Sequence, residues 1–224
     1  MVLKNKDLKI GFIFGLKNEM DLLSLKAKKK PVCFGYGSNS RIATENLLKH
    51  EVDIVLNLGF AGSIRKQIKN GDIVLIDSFF MKNEEKKKMN KSNQSFIRKK
   101  LKGLNFKNCS LLTVDKIITK KEKLKISQKH REVSIIDMEV GHIFKQLKKN
   151  KIPFVSIKII FDDLSFNIPN FIRDCINENG DLKILRLLSR IILDPKKILD
   201  LLTLKKNYNN SKKVLKEVVN RLST

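Results

Sequence analysis

Carboxylates and glycines directly follow several apolar runs of this sequence, and these residue types could form a polar small-molecule site. Asp162, Glu139 and Glu19 each come within a few residues of the end of such a run. A positioned carboxyl group can donate a proton to a leaving group, and a carboxylate can accept hydrogen bonds from hydroxyl groups. Glycines let the backbone approach a ligand closely. The pattern therefore predicts acid–base chemistry on a polar small molecule.

Each of these carboxylates also has a structural interpretation. Asp162 could close the turn after its strand and leave the neighbouring Asp163 as the acid. Glu139 and Glu19 both fall near expected helix starts, where the helix dipole favours a negative charge. On residue types alone, both interpretations stay open.

Apolar runs and the helical patterns between them predict the elements that position these side chains. Strands are predicted over residues 8–14, 31–34, 52–58, 72–76, 110–114, 134–137 and 153–160. Helices are predicted over residues 18–25, 39–50, 96–101, 119–130 and 138–149, and from 170 onward. The stretch 81–93 is rich in Lys, Asn and Glu, and it predicts a mobile surface loop.

Strands that are almost continuously apolar and alternate with helices indicate an α/β fold. We expect a single domain over residues 1–177 with a mostly parallel, helix-covered mixed sheet, and a helical C-terminal extension over residues 178–224 packed on that domain. A chain of 224 residues is long enough for one such core. In these sheets ligands bind beyond the carboxyl ends of the strands.

The net charge of +24, from 47 basic and 23 acidic residues, has three interpretations. Nucleic-acid binding is one, and attraction to an anionic membrane surface is another. Compositional bias is preferred, because Lys far outnumbers Arg and the basic residues are spread along the chain without interleaved aromatic residues. No specific nucleic-acid partner is therefore expected.

The cysteines argue against a disulfide framework and against a metal site. Together with the short apolar runs, they favour a cytoplasmic location. Cys33, Cys109 and Cys175 are odd in number and far apart, so neither a disulfide framework nor a zinc site is predicted. No apolar run approaches the ~20 residues that cross a bilayer. The charged first residues do not resemble a secretory signal.

Five segments, in order along the chain, resemble the nucleoside phosphorylase/nucleosidase superfamily. They are residues 10–19 (IGFIFGLKNE), 57–62 (NLGFAG), 71–74 (GDIV), 136–139 (IDME) and 152–162 (IPFVSIKIIFD). The resemblance implies that family's fold and cleavage of the N-glycosidic bond of an adenine nucleoside. Residues 181–219, with DPKKILDLL at 194–202, resemble the hopanoid-associated branch, which implies adenosylhopane as the substrate.

The resemblance also implies a role for each carboxylate in breaking the bond between purine and ribose. Asp162 would donate a proton toward the purine N7, and Glu139 would bind the ribose hydroxyls and stabilise the developing positive charge. Glu19 would position the attacking nucleophile, and Met138 would pack against the sugar. The family's glycine-containing turn would contact the substrate through Gly59, Phe60, Ala61 and Gly62.

Two further residues are implied to contact the purine. Ile117 would sandwich the base, because the segment around it lacks the aromatic residue that often stacks there. Asp115 would reach the base edge, although it could equally be a turn residue.

A phosphate site is predicted at Ser38, Ser40 and Arg41, between a glycine-rich turn and a helix. Backbone amides, hydroxyl groups and a guanidinium could bind an anion there. The alternative is a helix cap beside a surface arginine. If the site holds, phosphorolysis is favoured over hydrolysis, with inorganic phosphate as co-substrate and no other cofactor.

Two alternative functions remain from the sequence. One is a nucleosidase of the methylthioadenosine/S-adenosylhomocysteine type, and the other is a non-catalytic family member that binds a nucleoside or nucleic acid. The expected partner is a small adenosyl compound, lipid-linked in the hopanoid case. A basic amphipathic tail predicts peripheral contact with the inner face of the membrane, and the resemblance implies a homo-oligomer.

Overall fold

The computed structural model describes residues 8–24, 27–81, 85–166, 168–177, 180–195 and 197–223. Its strands are β1 (Ile10–Phe14), β2 (Val32–Phe34), β3 (Ile54–Ser63), β4 (Ile73–Phe80), β5 (Lys87–Lys88), β6 (Phe106–Thr113), β7 (Ile135–Asp137) and β8 (Phe154–Asp162). Its helices are α1 (Lys17–Met20), α2 (Ser40–Leu48), α3 (Lys91–Lys100), α4 (Lys120–Lys129), α5 (Val140–Lys149), α6 (Asn170–Arg173), α7 (Ile184–Leu193) and α8 (Lys197–Ser223).

The strands form one mixed sheet in the order β2-β1-β3-β7-β6-β4-β5, and β8 pairs with both β3 and β4. The pairing therefore closes into a ring through β3, β7, β6, β4 and β8. Strands β1, β2, β3 and β8 run parallel, whereas β7 is antiparallel to β3 and β4 is antiparallel to β8. This confirms the predicted α/β class with a mixed sheet.

Helices cover both faces of the sheet, and most strands are therefore buried on both sides. On one face α2 and α5 pack through Leu47, Val140 and Ile143. On the other face α3 and α8 contribute Ile97 and Leu215, together with Val218, Val219 and Leu222. The far half of α8 is thus part of the main core and not only an extension lying on it.

The predicted loop at 81–93 is wrong for half of the residues that the structure describes there, because residues 87–88 and 91–93 lie in a strand and a helix. Residues 87–88 pair with β4, and α3 begins at Lys91 with Asn90 as its cap, whose side chain accepts from Ser92 N at 2.8 Å. The Gln94 side chain is buried and donates to Ile76 O at 2.7 Å. A tertiary hydrogen bond thus compensates for the missing apolar residues. Residues 82–84 lie outside the described residues.

The predicted turn at Gly59–Gly62 is also wrong, because β3 continues to Ser63 and pairs with β8 along this stretch. The pairing register shifts only between Ala61 and Gly62. Gly59 has a φ of +156°, and a Cβ there would lie 2.8 Å from the Glu19 Oε2 atom. Gly59 is therefore required by the close approach of Glu19, not by a turn.

Among the described residues, no helix is both long enough and apolar enough to cross a membrane.

Candidate functional site

A cavity of about 260 Å³ lies where β1, β3, β7 and β8 end or bend, and its lining is mostly apolar. The three predicted carboxylates Glu19, Glu139 and Asp162 all line it. It is also lined by five of the predicted contact residues, which are Phe60, Ala61, Gly62, Ile117 and Met138. The structure thus brings together residues that are up to 143 positions apart in the sequence (19 to 162).

Glu19 is buried in α1, the short helix after β1, and backbone amides hold both of its carboxylate oxygens. Its Oε2 atom accepts from Gly15 N at 3.0 Å and from Leu16 N at 2.9 Å, and its Oε1 atom accepts from Phe60 N at 2.8 Å. Burial raises the pKa of this carboxyl, while Lys158 and the three amides act in the opposite direction. Glu19 is therefore fixed in one orientation.

Glu139 is the residue that precedes α5, and it is buried beside the 3₁₀ turn Gly37–Asn39. Its Oε1 atom accepts from Gly37 N at 3.2 Å, and its Oε2 atom lies 3.4 Å from Lys158 Nζ. Burial raises its pKa to about 7, with Asp137 and Glu19 adding to the rise and Lys158 opposing it. A carboxyl with such a pKa can change its protonation state near neutral pH.

Lys158, in the middle of β8, is fully buried behind these carboxylates and does not line the cavity. Its Nζ atom lies 2.9 Å from Asp137 Oδ2, so one ammonium serves both Asp137 and Glu139. Burial alone would lower the pKa of Lys158, but the carboxylates of Asp137, Glu139 and Glu19 raise it above its ordinary value. The lysine therefore stays charged and balances the acidic cluster.

Asp162, at the end of β8, forms a buried ion pair with Lys123 from α4. Lys123 Nζ also donates to the Asp162 main-chain oxygen at 2.9 Å. Burial raises the pKa of Asp162, and the ammonium group opposes that rise. The carboxyl is thus held at the cavity wall by a cation on its far side.

Asp163 is the alternative acid considered from the sequence, but it has a structural role. Its side chain accepts from Asn70 N at 3.0 Å and from Ser165 N at 2.7 Å, which closes the turn after β8. It does not line the cavity.

Ser38, Ser40 and Arg41, the predicted phosphate site, lie in the 3₁₀ turn Gly37–Asn39 and at the start of α2, and none of them lines the cavity. Ser40 is fully buried and its hydroxyl donates to Gly37 O at 2.6 Å. Ser38 and Arg41 are exposed and lie outside the cavity lining. The Ser40 hydroxyl thus forms its hydrogen bond within the turn, whereas the Gly37 backbone amide of the same turn donates to Glu139.

Two other predicted contacts lie at the edge of the site. Gly59 does not line the cavity and only makes room for Glu19. Asp115 lines a wider depression of about 780 Å³ that adjoins the cavity through Tyr36, Ile117 and Met138.

Several residues that line the cavity or lie directly behind it were not predicted from the sequence. Leu204 and Tyr208 of α8 line the cavity, and the Tyr208 ring lies 5.8 Å from the Phe60 ring, centroid to centroid. Phe161 lies at the same distance from Phe60. The cavity wall therefore contains aromatic rings, although the segment around Ile117 has no aromatic residue. Lys158 did carry a signal, because a lysine within an otherwise apolar strand requires a buried carboxylate partner.

In the part of the chain that the structure describes, no group of three or more His, Cys, Asp or Glu side chains is arranged to hold a metal ion.

The raised pKa of Glu139 predicts that stability falls as the pH rises. The folded chain holds this proton up to a pKa of about 7, against an ordinary value of 4.5. The stability that the protonated Glu139 contributes is fully present below its ordinary pKa, and it is lost as the pH rises through the pKa of Glu139 in the folded chain. Glu139→Gln removes the ionisation, so the free energy of unfolding of the variant relative to the wild type is expected to increase between about pH 5 and pH 8. Urea denaturation at both pH values measures it, and a pH-independent difference would contradict the assignment.

A family model described as the phosphorylase superfamily matches residues 12–182. No curated protein matches the chain by sequence.

Solved structures share the fold at low sequence identity. A 5'-methylthioadenosine/S-adenosylhomocysteine nucleosidase from Colwellia psychrerythraea 34H, in complex with adenine, has a TM-score of 0.63 and 19% identity, with 84% of this chain and 97% of that chain covered. The corresponding nucleosidase from Neisseria meningitidis, with methylthio-immucillin-A, has a TM-score of 0.62 and 18% identity over 95% and 99%. Futalosine hydrolase of Helicobacter pylori strain 26695 has a TM-score of 0.60 and 16% identity over 70% and 88%.

The family match covers most of the chain and includes four of the five segments from their first to their last residue, and it begins inside the first segment. The α/β fold agrees with it. The chain therefore belongs to the phosphorylase superfamily, the nucleoside phosphorylases and nucleosidases that those segments resemble.

Proposed function

We propose that this enzyme cleaves the N-glycosidic bond of an adenosyl compound by hydrolysis and releases adenine. The observation that carries the proposal is the placement of three buried carboxylates, Glu19, Glu139 and Asp162, around one mostly apolar cavity. Departure of a purine requires a proton on the base and stabilisation of the positive charge on the sugar. Asp162 can serve as the acid, and Glu139 and Glu19 are the carboxylates that face the sugar and the nucleophile in this proposal.

Asp162 is proposed as the acid. Burial raises the pKa of its carboxyl above the ordinary value, which favours uptake of a proton that the group then donates toward the purine N7, and Lys123 holds the carboxyl group in place. Once the proton has left, the same lysine stabilises the remaining carboxylate. The rings of Phe60 and Phe161 and the side chain of Ile117 supply apolar contacts for the base.

Glu139 is proposed to accept hydrogen bonds from the ribose hydroxyls, with Met138 packed beside the sugar. Its negative charge would stabilise an oxocarbenium-like sugar, because a carboxylate in a site shielded from water acts more strongly than in solution. Glu19 is proposed to orient the nucleophile. Its fixed orientation, set by the amides of Gly15, Leu16 and Phe60, suits that role.

Water is the proposed nucleophile, because Ser38, Ser40 and Arg41 do not face the cavity. The nucleosidase and hydrolase names of the similar structures agree with this choice. Inorganic phosphate is the alternative nucleophile, so the assay is run with and without it.

The proposed substrate carries an apolar group at its 5' end. Ile168, Ile172, Ile176 and Leu204 line the cavity and suit such a group. Methylthioadenosine represents the short members of this class, and adenosylhopane is the long, lipid-linked member. Peripheral contact with a membrane and assembly into a homo-oligomer are further parts of the proposal.

The assay measures free adenine from methylthioadenosine, S-adenosylhomocysteine and an adenosyl compound with a long alkyl group, each with and without phosphate. We expect adenine release at an equal rate in phosphate-free buffer, with the free sugar as the second product. Strict dependence on phosphate, with a sugar phosphate as product, would replace hydrolysis by phosphorolysis. Binding of all three compounds without any adenine would instead indicate a non-catalytic family member.

A further inference from the structure

Helix α7 and the first turns of α8 expose an unusual number of large apolar side chains. In α7 Leu185 is 84% exposed, and Ile192 and Leu193 are each 79% exposed. We call these residues and their exposed neighbours the α7–α8 apolar surface, which consists of Ile184, Leu185, Ile192, Leu193, Ile198, Leu199 and Leu202. Single exposed apolar residues are normal, but a contiguous group marks an interaction site.

These side chains are not core residues that lack a place in the fold. The inward side of the same helices is already packed, because Leu187, Leu201 and Leu204 contact a buried cluster that includes Phe171 and Ile172. Apolar residues therefore occupy both the inner and the outer sides of α7. A helix that is apolar on both sides is normally covered on both, so the outer side requires an occupant.

Charge indicates what the occupant is. After the apolar turns, the exposed side of α8 continues with basic residues, which are Lys205, Lys206, Lys212, Lys213 and Lys216. Asp200 lies between Ile198 and Leu202 in sequence but points away from both, since helical residues two apart face different sides. A second copy of this chain would bring another net charge of +24 against the same surface. An anionic bilayer instead has an apolar interior that can bury the leucine and isoleucine side chains, and negatively charged headgroups that attract the lysines.

We propose that the α7–α8 apolar surface inserts into the interface of an anionic lipid bilayer while the lysines of α8 contact the lipid headgroups. Helix α8 also supplies Leu204 and Tyr208 to the cavity, so this docking holds the cavity close to the membrane. The inference deepens the proposed function, because it rests on that cavity taking an adenosyl compound with an apolar end.

The test is co-sedimentation of the full chain with vesicles of phosphatidylcholine, with and without phosphatidylglycerol. We expect binding to the anionic vesicles that weakens in high salt, and little binding to the neutral ones. The double variant Leu185→Asp, Ile192→Asp is expected to lower the affinity about tenfold or more. The matched control, Ile42→Asp with Leu124→Asp, adds the same charge at positions 51% and 45% exposed, and it should bind within about twofold of the wild type.

Three results would overturn the proposal: no binding to anionic vesicles, equal losses in both double variants, or a dimer, seen by light scattering, that the α7 variant dissociates. Adenine release from a water-soluble substrate is measured on the same samples without vesicles. That activity should be unchanged in the α7 variant. If the protein releases adenine but does not bind vesicles, only the membrane proposal fails. If it binds vesicles but releases no adenine, only the proposed glycosidic cleavage fails.

Discussion

Asp162→Asn is expected to slow adenine release by about 10²–10⁴-fold, because an amide cannot donate the proton that the departing base needs. The substrate should still bind, since the variant keeps the shape of the cavity wall. The measurement is the rate of adenine release at saturating substrate together with the dissociation constant for adenine. The matched control is Asp163→Asn, which changes the neighbouring carboxyl that closes the turn through Asn70 and Ser165. It should keep the rate within about threefold, because it does not touch the cavity.

The ion pair with Lys123 provides a second control for this variant. Asp162→Asn leaves a buried ammonium opposite a neutral amide, so the variant should lose stability as well as activity. Adding Lys123→Met removes that charge, and the double variant is expected to regain stability while staying inactive. If the double variant regained adenine release, the loss in the single variant would be a folding effect and Asp162 would not be the acid.

Lys158→Met is expected to lower the free energy of unfolding by about 3–5 kcal/mol, because it removes the ammonium that pairs with a buried group of carboxylates. Asp137, Glu139 and Glu19 would then repel one another without that ammonium. Urea denaturation measures the loss. It should be smaller at low pH, where protonation of Glu139 relieves the repulsion.

The control for Lys158 is Lys107→Met, which breaks an ion pair with Asp72 near the surface, where the lysine side chain is 42% exposed. Its cost is expected to stay below about 1 kcal/mol. If Lys158→Met is too unstable to purify, Lys158→Met with Glu139→Gln removes both charges and should recover part of the stability. Equal costs for the two single lysine variants would contradict the assignment of Lys158 as the balancing charge of the site.

The strands and the carboxylates of the site follow from local sequence, whereas their partners do not. The apolar runs before Glu19, Glu139 and Asp162 predict strands, and parallel strands bring such ends to one edge. Lys123 gives no signal, because it is one lysine in the lysine-rich helix α4. Its partner, Asp162, is 39 positions away.

The wrong predictions have the same physical origin. Residues 90–95 are all polar, so the start of α3 is held by its Asn90 cap and by the Gln94 hydrogen bond to β4, which no local pattern shows. The Ser40 hydroxyl, part of the predicted phosphate site, donates to the carbonyl oxygen of Gly37, a contact that the sequence does not indicate. Tyr208 reaches the cavity only because α8 crosses the sheet. In each case a tertiary contact decides the outcome.

The position of α8 has a consequence for synthesis on the ribosome. Its Leu215, Val218, Val219 and Leu222 cover the face of the sheet to which Phe12 of β1 belongs, and Lys30 Nζ donates to Ser223 O across 193 positions of sequence. The part of that face that α8 covers stays open to solvent while the intervening residues are translated, whereas α3 is available earlier to cover its own part through Ile97. Contacts between such distant segments form slowly, and uncovered sheet surface favours aggregation. The part of this face that α8 covers is therefore exposed until residue 222 has emerged, and the nascent chain is expected to be more prone to aggregation than the folded protein.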